Sequence, residues 1–166
     1  MHPHLQLALD AIDRTTGSLP VDALNLRAEG KWSIAEILEH LTLAYRRGAA
    51  GFAKVAESGE PRATRPTFSQ SVGRILVVDV AYFPRAKAPA PTTPTGAMVA
   101  ESVRESARAA LVALDLACTQ AVGRLGDAML VLDHPYFGGM SARQWRKFHW
   151  RHTAHHMKQV RAIILR

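Results

Sequence analysis

Apolar residues recur at helical spacing in four stretches of this 166-residue chain, and this periodicity is the feature that most limits its possible folds. The stretches cover about residues 3–16, 33–59, 98–125 and 141–164. In each one, apolar side chains three or four positions apart fall on one side of a helix, and that side must be buried against another element. Because no stretch alternates convincingly as a half-buried strand does, the sequence predicts an all-α fold.

Local signals predict where these helices begin and end. Ser33 and Glu36 form the S-x-x-E pattern of a capping box, and Ser141 and Gln144 repeat the box before the last stretch. Such a box satisfies backbone N–H groups that the first turn of a helix leaves unpaired, so Glu36 is better explained as a capping residue than as a general base. Glycines that can stop a helix follow the first three stretches: Gly17, Gly59 and Gly126.

A long connection, residues 58–97, separates the second stretch from the third. Its run ILVVDV suits either a short helix or a strand, and we predict a helix because no second strand is available to pair with it. The architecture that follows is a four-helix bundle with one long crossover between its second and third helices. The crossover holds six prolines, which forbid a continuous helix: Pro61, Pro66, Pro84, Pro89, Pro91 and Pro94.

Length and composition fit one soluble domain over residues 1–166. The apolar share of 48% with 21% charged residues excludes disorder throughout the chain. No apolar run approaches the roughly 20 residues that a membrane-spanning helix needs. Acidic Asp10 and Asp13 interrupt the N-terminus before any signal-like segment develops, and the single cysteine, Cys118, cannot form an internal disulfide. The chain is therefore expected to be cytoplasmic.

The net charge of +7 does not by itself identify a partner. Basic residues cluster mildly between Arg143 and Arg166, where apolar positions interrupt them at helical spacing. This pattern favours a solvent-exposed basic helix face over a nucleic-acid-binding surface, because the sequence contains no identifiable DNA-recognition helix.

Histidines are concentrated in the last helical stretch, in the segment FHWRHTAHHMKQ. His152 and His156 are four positions apart, so their imidazoles project from one side of a helix and could both bind one divalent ion. His40, two turns into the second helix and beside its apolar stripe, is the best candidate for a third ligand. The inward-facing stripe of the last helix comprises Trp145, His149, His152, His156, Gln159 and Ile163.

Structural roles compete with metal binding at each of these positions. A histidine pair at this spacing is, taken alone, more often a packing feature than a metal site. His149 fits either a packing role or a role in supporting the metal ligands from outside their coordination shell. His155 points away from the stripe. Gln159 could either orient a ligand or pack. His134 begins the sequence HPYFGG, which indicates a turn and favours a structural role. Cys118 lies on the apolar stripe of the third helix, where an inert buried thiol is expected.

Two segments carry a resemblance to a known family: WSIAEILEHL in the second helix, and HPYFGGMSARQWRKFHWRHTAHHMKQ leading into and through the last. They resemble the DinB/YfiT-like superfamily, and within it an uncharacterised branch with the signature HPxFG, then W, then HxxHHxxQ. The resemblance implies a four-helix bundle with a long crossover. It also implies a divalent metal held by three histidines, which correspond here to His40, His152 and His156.

Two functions of different classes remain open. The first is a metal-dependent enzyme, with zinc or nickel as the first candidates, that activates a thiol or water and takes a small-molecule substrate with a thiol cosubstrate. The second is a helical bundle that binds metal or ligand without turnover, or only dimerises. We expect a homodimer, with exposed crossover residues such as Phe68 and Tyr82 at its interface.

Overall fold

The computed structural model describes residues 1–84 and 87–166, and these residues are mostly helical. None of the described helices carries an apolar stretch long enough to cross a membrane. Short 3-10 helices lie at Val21–Asn25 and Ala90–Thr92, and a short π-helix lies at Ile75–Asp79. In chain order, the helices and strands are α1 (Pro3–Thr16), α2 (Ile34–Ser58), α3 (Phe68–Arg74), α4 (Ala100–Leu125), β1 (Leu130–His134), β2 (Gly138–Ser141) and α5 (Ala142–Ile164).

The predicted capping boxes are both present. Ser33 Oγ accepts a hydrogen bond from the backbone N–H of Glu36 at 3.1 Å, and the Glu36 carboxylate accepts one from the N–H of Ser33 at 2.6 Å. Ser141 and Gln144 form the same reciprocal pair at the start of α5, at 3.3 and 2.9 Å. Gly59 ends α2 in the left-handed region, with φ of 70°, where glycine avoids the clash that a Cβ would cause.

The expectation that the chain has no strand is wrong between α4 and α5. Residues of β1 and β2 form an antiparallel hairpin in which Leu132 pairs with Met140 and His134 with Gly138. Gly138 turns the chain with φ of 64°, and a Cβ at Gly139 would meet the carbonyl oxygen of Thr64. The two glycines therefore allow the hairpin to turn and the crossover to lie against it. The pattern was missed because β2 is only four residues long and buried throughout, so it does not alternate.

The crossover between α2 and α4 is irregular, as its prolines predict. The prediction that ILVVDV is helical rather than a strand is confirmed, although Ile75–Asp79 forms a π-type turn that continues α3. The described helical structure stops before Ala81, which has a φ of 62°, a conformation that costs a residue with a Cβ about 1–3 kcal/mol. Phe83 therefore lies beyond the end of this short helix.

The long helices bury one shared apolar core. Helix α2 packs along α4, α1 packs along α5, and α2 also contacts α5. Between α2 and α5, the hydroxyls of Tyr45 and Thr153 share a buried hydrogen bond of 2.6 Å. This contact fixes the two helices against each other next to the predicted histidines. The largest fully buried side chains are Tyr45, Phe52, Leu5, Ile12, Leu24, Ile34, Leu38, Leu41, Leu111, Leu114, Met140 and Met157, and each buries apolar surface worth about 1.5–3 kcal/mol.

Candidate metal centre

The three predicted histidines lie together where α2 meets α5. His152 Nε2 is 3.1 Å from His40 Nε2 and 3.1 Å from His156 Nε2. One ring nitrogen from each of the three residues lies within 4.8 Å of the other two. His40 and His156 are buried, with 5% and 7% of their surface exposed, and His152 is partly buried. The fold thus brings together the residues that helical spacing had placed on two separate helices.

A backbone carbonyl sets the tautomer of His40. His40 Nδ1 lies 2.6 Å from the carbonyl oxygen of Thr92, in the crossover. A carbonyl oxygen can only accept a hydrogen bond, so Nδ1 carries the proton and donates it. The other ring nitrogen, Nε2, is then unprotonated and directs its lone pair towards His152.

Gln159 sets the tautomer of His156 in the same way. His156 Nδ1 lies 2.9 Å from Gln159 Oε1, and Gln159 Nε2 lies 3.0 Å from His155 Nε2. With the amide in this orientation, its oxygen accepts from His156 while its NH2 group donates to His155. Nε2 of His156 is therefore also unprotonated and directs its lone pair towards His152. Of the two roles open to Gln159 in the sequence, the structure supports orientation of a histidine.

The shared space between the three rings lacks enough protons to satisfy their nitrogens. The lone pairs of His40 and His156 both face His152 Nε2, which carries at most one hydrogen and can donate it to only one of them. His152 Nδ1 is buried and has no hydrogen-bond partner among the described residues. An arrangement that concentrates nitrogen lone pairs in this way is what a cation requires of its ligands.

Aromatic side chains surround the three histidines. The ring of Trp32 lies 5.1 Å from that of His40, and the ring of Phe148 stacks on His152 at 5.3 Å. Phe83, from the crossover, stacks on His155 at 4.7 Å and lies 6.1 Å from His152. The sequence does not reveal that Phe83 and Trp32 lie at the site, because neither contact follows from spacing along one helix.

Burial keeps the three imidazoles neutral at physiological pH. Loss of hydration, together with a smaller effect of the neighbouring His40, lowers the pKa of His156 to about 3. The pKa of His152 also falls well below 6.5, mainly through burial and then through His156 and His40. Burial lowers the pKa of His40 too, although its bond to Thr92 acts in the opposite direction. Neutral imidazole is the form that binds metal ions.

Two other buried histidines lie outside this cluster. His134, the last residue of β1, stacks on Phe137 with ring centres 4.3 Å apart, and its Nδ1 accepts the backbone N–H of Tyr136 at 3.2 Å. His149 is 1% exposed, and neither of its ring nitrogens has a hydrogen-bond partner among the described residues. The structural role expected for His134 fits these contacts, and His149 packs beneath the cluster against Tyr45.

Cys118 has the environment expected of an inert thiol. Its side chain is fully buried in α4, and burial raises its pKa to about 12. A thiol in that environment is protonated at neutral pH and is a poor nucleophile.

The described residues therefore define a mostly helical protein with a cluster of three neutral imidazoles at a helix–helix contact. The chain belongs to the family described as "Protein of unknown function (DUF1569)", whose model matches residues 4–162. No protein of curated function and no solved structure shows significant similarity to the chain.

Proposed function

We propose that His40, His152 and His156 bind one divalent metal ion. The observation that carries the proposal is the pair of outward hydrogen bonds, from His40 to Thr92 and from His156 to Gln159, which leave two Nε2 lone pairs facing one point. Metal-binding histidines in proteins commonly donate their second ring N–H to a carbonyl or a carboxylate in this way. Zinc and nickel are the first candidates, because borderline divalent ions accept imidazole ligands readily.

The chemistry that such an ion supplies is activation of a bound molecule. Three protein ligands leave at least one coordination position for water or substrate, and the ion lowers the pKa of a water or thiol bound there towards neutrality. We propose that the protein is a metal-dependent enzyme that uses this activation in thiol transfer, with a small-molecule substrate and a thiol cosubstrate. Resemblance to the DinB/YfiT-like superfamily supports this choice, and with it a four-helix bundle acting as one domain.

A non-catalytic metal- or ligand-binding bundle is the second candidate. The observation that favours it is the aromatic covering, because Trp32 and Phe83 lie directly against the histidine rings. A covering that stays closed holds an ion without admitting a substrate, whereas a catalytic site must open to solvent. The two candidates therefore differ in whether a small thiol reaches the bound metal.

Cobalt substitution tests whether a thiol reaches the metal. Protein loaded with one equivalent of Co²⁺ is titrated with a small thiol, and a sulfur-to-cobalt charge-transfer band is expected as the thiolate enters the open position. The His156→Ala variant is the control, since it should bind little cobalt under the same conditions. A cobalt spectrum that no thiol perturbs would contradict thiol transfer and favour the non-catalytic candidate.

We also propose that the protein forms a homodimer through the crossover. Phe68 and Tyr82 are 86% and 60% exposed, and an apolar side of the same segment adds Val72, Ile75, Leu76 and Val80. Apolar residues grouped on one surface mark association sites more often than isolated ones do. A second copy presenting the same surface would bury both sets through a symmetric contact.

Light scattering at tens of micromolar should therefore give about twice the 18.2 kDa mass of the monomer. Phe68→Asp should shift the protein to the monomer mass, because a charge would be buried at the centre of the interface. Leu165→Asp is the matched control, since Leu165 is equally exposed at the C-terminus and lies outside the crossover. A wild-type protein of monomer mass would rule the dimer out.

A further inference from the structure

Glu39 is a buried carboxylate directly before His40 in α2. Glu39 is only 3% exposed. Its neighbours in sequence are Leu38, which is buried in the core, and His40, which belongs to the candidate metal centre. Burying a carboxylate is unfavourable unless its oxygens accept hydrogen bonds. The contacts of Glu39 therefore indicate what the residue is for.

All of these contacts go to one short segment of the crossover. Glu39 Oε1 accepts from the backbone N–H of Thr95 at 3.1 Å and from its hydroxyl at 3.0 Å. Glu39 Oε2 accepts from the backbone N–H of Gly96 at 2.9 Å. Hydrogen bonds to an ionised carboxylate are roughly twice as strong as those between neutral groups, so Glu39 is a firm anchor for this segment.

The segment that Glu39 binds also contacts His40, through Thr92, which lies three residues before Thr95. We call residues 89–96 the strap. Thr92, within the strap, is held in a tight turn in which its backbone N–H and its hydroxyl both bond to the carbonyl oxygen of Pro89, at 2.8 and 3.0 Å. Its own carbonyl accepts the proton of His40 Nδ1 at 2.6 Å. Consecutive residues of α2 thus hold two points of one strap.

We propose that Glu39 is a positioning residue: by anchoring Thr95 and Gly96, it holds the carbonyl of Thr92 against His40 Nδ1 and so fixes the tautomer of His40. The consequence for metal binding rests on the proposed function, whereas the tautomer is a property of the protein itself. Prolines at positions 89, 91 and 94 restrict the backbone conformation of the strap. Fixing one end of the strap therefore also restricts the position of the other end.

Weakening the anchor has a defined consequence at His40. When the Thr92 carbonyl is no longer held in place, neutral His40 also populates the tautomer with its proton on Nε2. That tautomer directs an N–H, instead of a lone pair, towards His152 and His156. Residues that orient a metal ligand in this way change metal affinity by about 10- to 100-fold when they are replaced.

Glu39→Gln is the variant that tests the proposal, because it keeps the shape of the side chain and removes its charge. Nitrogen-15 correlation spectra of the imidazoles, recorded in the presence of a chelator, should show His40 as the Nδ1-protonated form in the wild type and as a mixture in Glu39→Gln. The affinity of the variant for Zn²⁺ should fall about tenfold. Thr95→Val, which removes a single donor, should shift both readouts in the same direction and by less.

Glu36→Gln is the control for a merely structural effect. Glu36 accepts the backbone N–H of Ser33 at the capping box, a bond that glutamine can also make, and it lies 3.6 Å from Arg27. Glu36→Gln should therefore lower the stability of the protein only slightly, through loss of the charge at the helix N-terminus, without changing the His40 tautomer or the Zn²⁺ affinity. The proposal is overturned if Glu39→Gln, or Thr95→Val should Glu39→Gln not fold, keeps the wild-type tautomer. If the tautomer shifts but wild-type protein binds no Zn²⁺, the positioning role stands and the proposed function fails.

Discussion

Replacing His156 by alanine should lower the affinity of the protein for Zn²⁺ by about 100-fold or more, because it removes one of three ligands and leaves a pair that rarely suffices. The fold should survive, since the fully buried apolar side chains of α1, α2, α4 and α5 supply most of the packing. Competition against a coloured chelator gives the affinity, and thermal unfolding in the presence of a chelator verifies that the variant is folded.

His155→Ala is the matched control for that variant. His155 adjoins His156 in sequence and is partly buried, yet its ring contacts Phe83 and Gln159 and lies outside the group of three. Its loss frees the Gln159 amide and should weaken Zn²⁺ binding by about tenfold at most. Equal Zn²⁺ affinities for the two variants would show that the histidines pack and do not bind metal.

Without divalent metal, the protein should lose stability steeply as the pH falls below 6.5. Burial lowers the pKa of His134, His149 and His156 from 6.5 to about 3, so the unfolded chain binds more protons than the folded one between these values. Stability therefore falls with falling pH in this window, by about 1.4 kcal/mol per pH unit for each histidine. The three residues together give about 4 kcal/mol per pH unit, which is enough to unfold a domain of ordinary stability by about pH 5.

Urea unfolding followed by circular dichroism at a series of pH values measures this dependence, and His149→Leu isolates one contribution. His149 makes no hydrogen bond within the described residues, and its ring is packed closely against Gly48 in α2, where an added Cβ would lie 3.2 Å from Nε2. Leucine of similar volume should keep the packing and reduce the slope by the equivalent of one proton. Unchanged stability between about pH 7.5 and pH 4.5 would contradict the neutral, buried state of these histidines.

The parts of the fold that the sequence predicts well are those with local causes. Helix α2 begins at Ile34 and α5 at Ala142, as the two capping boxes predict, and these predictions are confirmed. Each capping box lies within four consecutive residues, so the sequence alone reveals it. The hairpin escaped prediction because Gly138–Ser141 has no exposed position to create alternation, and its pairing with β1 depends on contacts with the crossover. Arg62, in the crossover, illustrates this dependence, since its backbone N–H donates to the carbonyl of Val131 in β1 at 2.8 Å.

The candidate site divides in the same way. His152 and His156 follow from their spacing on one helix, and His40 from its place beside an apolar stripe. The bond that orients His40 comes from Thr92, 52 positions away in a proline-rich segment with no periodicity. Glu39 escaped attention for the same reason, because its partners Thr95 and Gly96 lie in that segment. Contacts between a helix and an irregular segment are long-range, and no pattern within either one encodes them.

The most direct test of the central claim is the number of Zn²⁺ ions that each chain binds after reconstitution and removal of loosely bound metal, with the absorption spectrum of the zinc edge recorded on the same sample. The account predicts one ion per chain, with a scattering pattern from three imidazoles. Wild-type protein that retains no Zn²⁺, or an ion whose surroundings lack imidazole scattering, would contradict it.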